Sequence, residues 1–253
     1  MKVTFLGTGT SQGVPVINCR CDVCSSMDYR DKRLRSSVHL QVKNKSFIID
    51  SGPDFRQQVL TNHIRELDAV IFTHQHKDHI AGLDDVRGFN FSLNKDIPVF
   101  GTAEVIAQLR QEFAYIFAAE RYPGVPRVSV NTISNAGFEA EGIQFTPIEV
   151  MHHKLPVFGY RVEDFTYITD AKYISESEKK KIRGSEVLVI NALQHQQHIS
   201  HLTFKEALML VQEVRPRLAY FTHISHNLGR QLEVERLLPD HIRLAYDGLS
   251  IEI

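Results

Sequence analysis

Two short stretches of the sequence carry side chains whose types and spacing could do chemistry. The first is THQHKDH, which reads His74-x-His76-x-Asp78-His79. Imidazole and carboxylate are donors for Zn, Mn or Fe. In an extended chain residues i and i+2 share a face, so His74 and His76 can reach one cation together. The chain must then turn, which frees Asp78 and His79 to face a second. The other stretch is NCRCDVC, which holds the chain's three cysteines, Cys19, Cys21 and Cys24. Three thiols packed this closely look like a metal clip. Structural zinc takes four ligands, so a fourth donor has to come from elsewhere in the chain.

These residues need elements to position them. Segments rich in Val, Ile, Phe and Tyr recur along the chain: KVTFLG, SSVHLQV, KSFIID, AVIFTH, IPVFG, GIQFTPIEV, FGYRVE, FTYITD, EVLVINA, LAYFTHI and IRLAYDGLSIEI. They read as strands. Helical patterns fall between some of them, in AEVIAQLRQEFAYIF, TFKEALMLVQEV and LGRQLEVERLL. SESEKKKIRG reads as a shorter helix with Ser175 as N-cap and Gly184 as its stop. The pattern predicts an α/β fold with layered sheets and outer helices. AVIFTHQH, FTYITD, EVLVINALQH and LAYFTHISH each run apolar and then break into His or Asp. Polar groups leaving the ends of buried strands are where such folds gather their chemistry.

HxHxDH after an apolar strand resembles the metallo-β-lactamase superfamily. The resemblance implies an αββα sandwich, two mixed sheets face to face with helices on the outer faces. It extends over residues 1–253 as one hydrolase domain, with the small zinc clip at 19–24. It also implies further metal ligands at later strand ends. EVMHHKL offers His152 or His153, YITDAK offers Asp170 and YFTHISH offers His223. By that analogy His74, His76 and His152 bind one metal, Asp78, His79 and His223 bind a second, and Asp170 bridges them. HHKLPVFGY resembles a family pattern that favours His152 over His153. Asp50 in FIIDSGPD matches an early Asp that orients the metal loop, and it reads equally as a turn former before Ser-Gly-Pro.

The opening FLGTGTSQGVP resembles the branch that holds the tRNA 3′-processing endonuclease and the PhnP-type cyclic phosphodiesterases. The stretch 153–169 is too short for the substrate arm of the tRNA enzyme, and Cys-x-Cys-x-x-Cys is a PhnP-type feature. In that group a His three residues past the last catalytic His completes the clip. His226 fits, which implies a Cys₃His zinc site of Cys19, Cys21, Cys24 and His226. The resemblance implies two divalent metals, Zn or Mn, beside this structural Zn. A hydroxide bridging the two metals would attack phosphorus with Asp170, and a His would protonate the leaving group. His201 in ISHLTFKEAL is the candidate acid, with His195 and His198 as rivals.

The implied substrate is a small cyclic phosphate ester, phosphoribosyl 1,2-cyclic phosphate of phosphonate breakdown or a similar sugar or nucleotide diester. Three alternatives stay open: a nuclease or 2′,3′-cyclic-nucleotide phosphodiesterase, a lactone or thioester hydrolase, and a metal-binding accessory protein of cofactor synthesis like the PQQ-synthesis proteins of this branch. Loop residues after Gly82 and in AAERYPGVPR are candidates for holding the rest of the substrate.

Composition narrows the field. The 253 residues are 43% hydrophobic and 23% charged, with 13 His and a formal net charge of −1. This charge balance gives no global attraction for nucleic acid and counts against a large RNA partner. No apolar run approaches the roughly 18 residues of a membrane span. MKVTFLGTGT has no signal-peptide core, which predicts a cytoplasmic protein. There a cysteine cluster is a metal site before it is a disulfide framework. The resemblance also suggests a homodimer.

Overall fold

Alternation in the first strands separates two apolar faces. In Ser37–Val42 the side chains of Val38, Leu40 and Val42 share one face and are buried. They pack against Phe145, Tyr160, Tyr167 and Val189 from a second sheet. This inter-sheet layer is the centre of the structure, a computed structural model that describes residues 1–120 and 122–253. Arg121, in the candidate substrate loop, lies outside the described residues.

The first sheet holds β1 (Lys2–Gly7), β2 (Ser37–Val42), β3 (Lys45–Ile49), β4 (Ala69–Ile71), β5 (Ile97–Gly101) and β6 (Val128–Thr132), with β15 (Ser250–Glu252) outside β1. Pairing is antiparallel from β15 to β3 and parallel from β3 to β6. The second sheet holds β8 (Ile143–His152), β9 (Leu155–Val162), β10 (Phe165–Tyr167), β12 (Val187–Asn191), β13 (Leu218–Thr222) and β14 (Ile242–Leu244). β7 (Phe138–Ala140) and β11 (Tyr173–Ile174) pair with β8. β10, β12, β13 and β14 run parallel to one another.

Helices cover both outer faces. α1 (Phe55–Thr61), α2 (Lys77–Ile80), α3 (Arg87–Leu93) and α4 (Ala103–Glu112) bury Phe55, Ile80, Phe89 and Leu109 against the first sheet. α5 (Glu176–Ile182), α6 (Phe204–Val214) and α7 (Gln231–Glu235) bury Ile182, Leu210 and Val234 against the second. α6 buries Phe204, Ala207, Leu210, Val211 and Val214 on one stripe. Thr203 caps it in a capping box with Glu206. The αββα sandwich and its mixed sheets are therefore as expected. Among the described residues no helix is long and apolar enough to cross a membrane.

Three segments differ from their sequence patterns. AEVIAQLRQEFAYIF is helical only to Glu112, because Phe113 and Ile116 turn inward and bury against the first sheet's outer face. LGRQLEVERLL keeps five helical residues, Gln231–Glu235, since the Gln231 N–H and side chain are taken up by Asp31 and Arg33. IRLAYDGLSIEI is two strands in two different sheets, separated by a turn with Gly248 at φ +86°.

Candidate metal centre

The centre forms where parallel strands of both sheets end. β4 runs through Phe72 into Thr73 and His74, and α2 starts just past His76. β10 leads to Asp170 and β13 to His223. Asp50, Asp170 and His223 all have positive φ, +65°, +54° and +54°. Non-glycine residues reach this region at a cost of roughly 1–3 kcal/mol, and such strain gathers at functional sites.

Asp170 is the hub. Its Oδ2 lies 3.2 Å from His79 Nε2 and 3.4 Å from His223 Nδ1. Its Oδ1 lies 3.9 Å from His152 Nδ1 and 3.8 Å from His201 Nδ1. The carboxylate thus turns one oxygen to each half of the centre. His74 Nε2 is 3.0 Å from His76 Nδ1, and Asp78 Oδ2 is 3.1 Å from His79 Nε2. His74 stands between the halves, its ring 4.2 Å from that of His79. His74, His79 and Asp170 form one tight donor group, and His152, Asp170 and His201 form another. His79, His223 and His152 thus stand directly at Asp170, and His74, His76 and Asp78 join them through His79 and one another.

The donor set fits divalent metal. Two ligand atoms at 2.0–2.1 Å from one tetrahedral ion stand about 3.3 Å apart, close to the separations here. His79 Nε2 lies within 3.2 Å of two carboxylate oxygens without the angle of a hydrogen bond, and His201 Nδ1 is buried with no hydrogen-bond partner. Burial alone would lower the His79 pKa, but Asp78, Asp50 and Asp170 together hold it well above the ordinary range. Burial would raise Asp78 and Asp170; the imidazoles, led by His79 and His223 respectively, hold both well below theirs. A concentration of negative charge that stabilises a proton on His79 would equally stabilise a cation in its place.

Partners behind the centre orient it. His79 Nδ1 donates to Asp50 Oδ2 at 2.7 Å, leaving Nε2 for the centre. Asp50 is fixed in turn by the Thr73 N–H and hydroxyl, each at 2.8 Å. Carboxylate–histidine pairs of this kind set the orientation of metal ligands. Asp50 thus stands behind the 74–79 loop and in the turn that precedes Ser51, Gly52 and Pro53. His152 Nδ1 donates to the Ser200 carbonyl at 2.9 Å. Ser36 Oγ lies 3.1 Å from His223 Nδ1, and Thr10 Oγ1 lies 3.2 Å from His223 Nε2. Thr169 Oγ1 donates to Asp170 Oδ2 at 2.7 Å. Ser36, Thr73, Thr169 and Ser200 were not legible in the sequence, where a hydroxyl or a carbonyl carries no spacing signal. Thr10 lies in the opening stretch FLGTGTSQGVP.

The histidine alternatives separate cleanly. His153 is exposed, with φ +57°. His195 is exposed against the Phe204 ring. His198 accepts from the Ser200 N–H and stands 5.0 Å, ring to ring, from His201. Only His201 is buried at the centre, and burial together with His223 pushes its pKa down to about 3.

The clip assembles as well. Sγ of Cys19, Cys21 and Cys24 stand 3.3, 3.3 and 3.5 Å from His226 Nδ1. A tetrahedral zinc with Zn–S of 2.3 Å and Zn–N of 2.0–2.1 Å sets sulfur and nitrogen about 3.5 Å apart, so the four donors fit that ion. The Cys24 N–H pointing at Cys21 Sγ lowers that thiol to about 6, whereas burial raises Cys24 to about 11. The clip lies beside the His223 loop: Ile224 N donates to Thr8 O and Thr10 N to Ile224 O.

Comparison with known proteins identifies the family and the fold. Residues 45–224 match the Beta-lactamase superfamily domain. The chain is 35% identical to an octanoyltransferase of Porphyromonas gingivalis over 99% of its own length. It spans only 51% of that relative, about half. A solved structure described as a new diphosphatase from the PhnP family superposes with a TM-score of 0.93 at 38% identity, over 100% of this chain and 97% of that one. Zn²⁺-bound PqqB from Methylobacterium extorquens superposes with a TM-score of 0.82 at 20% identity, over 100% of both chains, and shares the fold. By its matched domain, its HxHxDH centre and its 38% identity to a PhnP relative along the whole chain, the protein belongs to the PhnP family of the metallo-β-lactamase superfamily.

Proposed function

We propose that the protein is a dinuclear-metal phosphodiesterase that hydrolyses a small phosphate ester, phosphoribosyl 1,2-cyclic phosphate or a similar sugar or nucleotide diester. In this reading His74, His76 and His152 hold one divalent cation, Asp78, His79 and His223 hold the other, and Asp170 bridges them. Two such cations would supply Lewis acidity and an activated water. The rest falls to the chain. Asp50 and the Ser200 carbonyl each take a ring N–H, which leaves the opposite nitrogens of His79 and His152 for the cations. Asp170, held below its usual range, stays anionic and keeps both halves together. His201 offers the leaving oxygen a proton-carrying nitrogen from a buried position.

The observation that carries the reading is His201: a buried imidazole whose Nδ1 has no partner and faces Asp170 Oδ1 at 3.8 Å. A carbonyl hydrolase with a good leaving group has no need of it, whereas a sugar alkoxide does. The test is phosphorus NMR of the Mn- and Zn-loaded protein with phosphoribosyl 1,2-cyclic phosphate. A 2′,3′-cyclic nucleotide and a nucleoside diphosphate run beside it, the last because the PhnP relative is a diphosphatase. Fast opening of the first alone supports the stated substrate. Faster turnover of another phosphate ester moves the substrate and keeps the reaction class. No phosphorus chemistry removes the proposal.

One observation favours a second reading. The Porphyromonas relative is an octanoyltransferase, and this chain matches about half of it. Hydrolysis of an acyl thioester would use the same centre on a carbonyl carbon. Release of thiol from an octanoyl thioester distinguishes the two.

A further inference from the structure

His198 competes with His201 in the sequence as the acid, and the proposed chemistry leaves it without a part. It is half-buried. The His201 ring lies 4.5 Å from that of His152 and 4.9 Å from that of His223, both candidate ligands. The His198 ring adjoins His201 at 5.0 Å, with the planes 36° apart. It belongs to neither donor group of the centre, so it stands next to the acid without joining the ligands.

The tautomer of His198 is fixed. The Ser200 N–H donates to His198 Nδ1 at 3.3 Å, and Ser200 Oγ lies at the same distance from that nitrogen. A ring nitrogen that accepts from a peptide N–H carries no proton, so the proton of the neutral ring sits on Nε2. Among the described residues Nε2 has no hydrogen-bond partner. Ser200 also accepts from His152 Nδ1 through its carbonyl at 2.9 Å. One residue therefore orients a candidate ligand on one side and His198 on the other.

This arrangement rules against His198 as the acid and for a donor that keeps its proton. A neutral imidazole that gave up its Nε2–H would become an imidazolate. A second proton at Nδ1 would be set against the Ser200 N–H. His201 Nδ1 has no such neighbour and is free to take one. A neutral N–H recognises an oxygen acceptor, and the place of His198 beside His201 puts that oxygen on the leaving side of the ester. We propose that His198 is a specificity residue, its Nε2–H donating to a hydroxyl or ring oxygen that the leaving group carries near the ester oxygen served by His201. The inference rests on the phosphodiesterase reading and narrows it to esters of polyols and sugars, against plain alkyl esters.

The test uses glycerol 1,2-cyclic phosphate and propane-1,2-diol cyclic phosphate, which differ by one hydroxyl. Phosphorus NMR of the metal-loaded full chain follows their opening. Two variants divide the ring's two nitrogens. His198→Asn keeps an acceptor for the Ser200 N–H in the place of Nδ1 and has nothing at Nε2. His198→Gln reaches the Nε2 position with its amide and gives up the acceptor at Nδ1. The wild type should favour the glycerol ester about fivefold in kcat/KM, the worth of one neutral hydrogen bond. His198→Asn should bring the two esters level by slowing only the glycerol ester, with bound metal unchanged. His198→Gln should keep the preference. A wild type without preference overturns the proposal. So does a preference that survives in His198→Asn or fails in His198→Gln, which would leave the ring only its hold on Ser200. The phosphodiesterase reading is judged separately, on phosphoribosyl 1,2-cyclic phosphate and the esters beside it. Where the wild type opens neither ester of the pair, calorimetry with glycerol 1-phosphate and propyl phosphate decides in their place. Tighter binding of glycerol 1-phosphate that His198→Asn abolishes supports the assignment, and equal affinities overturn it.

Discussion

His201 and Asp50 ask different questions of single side chains. His201 is neutral at ordinary pH, since burial and His223 push it down to about 3. A phosphate placed beside it would favour its protonated form, so the substrate itself helps to arm the acid. On the proposed assignment, His201→Ala lowers turnover of an alkyl phosphodiester by about 10²–10⁴-fold, the usual worth of a positioned acid. The nitrophenyl ester should lose far less, because nitrophenolate leaves without a proton. Equal losses with the two esters, measured as kcat, would assign His201 a structural role. Asp50 acts through His79. Asp50→Ala leaves the Nδ1–H without its acceptor, and metal affinity should fall about 10–100-fold. Metal content after dialysis against a graded chelator reads this directly, with circular dichroism to show that the fold persists. Unchanged affinity would leave Asp50 only its turn.

At the scale of elements, the clip and the centre share one segment. His226 lies three residues past His223, and Ile224 between them is bonded to both Thr8 and Thr10. On this arrangement Cys21→Ser should lower bound zinc by one equivalent. It should also raise amide exchange at 223–226 while leaving β8 and β9 protected. An unchanged metal count would remove the Cys₃His assignment. The same segment shows what was legible. His74 to His79 and Cys19 to Cys24 are contiguous, so their spacing alone announces ligands. Asp170 and His223 stand at separate strand ends that the apolar runs breaking into Asp or His had marked, and His201 stands just before α6; their roles came only from the family pattern. Asp247 in YDG reads as a turn residue first and a support behind the metal ligands second; its carboxylate accepts from Thr8 Oγ1 at 2.7 Å and Leu34 N at 2.6 Å. α1 and α3, with seven residues each, are too short for a helical period to stand out. α7 and the two halves of IRLAYDGLSIEI were misjudged for one reason: polar groups at Gln231 and Asp247 are held by residues far away in sequence, which periodicity does not register.

Over the whole molecule, two groups outside the centre, the buried His39 and the half-buried Asp247, oppose each other in their pH dependence. His39, on the outer face of β2, donates from Nε2 to Ser46 Oγ at 2.8 Å, because that hydroxyl already donates to Glu66 O. Burial, and then Lys2, pushes its pKa from 6.5 down to about 4. Its stabilising contribution is complete above pH 6.5 and is lost as pH falls through 4. Asp247 works the other way. Burial raises it from 3.8 to about 6, against the pull of the Leu34 N–H, Thr8 and Arg33. Its contribution is complete below pH 3.8 and is lost as pH rises through 6. Each shift exceeds two pKa units, or about 3 kcal/mol apiece. Between pH 4 and 6.5 the two nearly cancel, so the wild type hides both. Single variants should expose them. Relative to wild type, Asp247→Asn should gain about 3 kcal/mol as pH rises from 4 to 6.5, and His39→Gln should gain a similar amount as pH falls over the same range. Urea unfolding at fixed metal concentration, taken as variant minus wild type at each pH, isolates each group from the acid loss of metal. Two difference curves of opposite slope confirm the pairing. A flat curve for either variant would mean that the replaced group keeps the same proton affinity folded and unfolded.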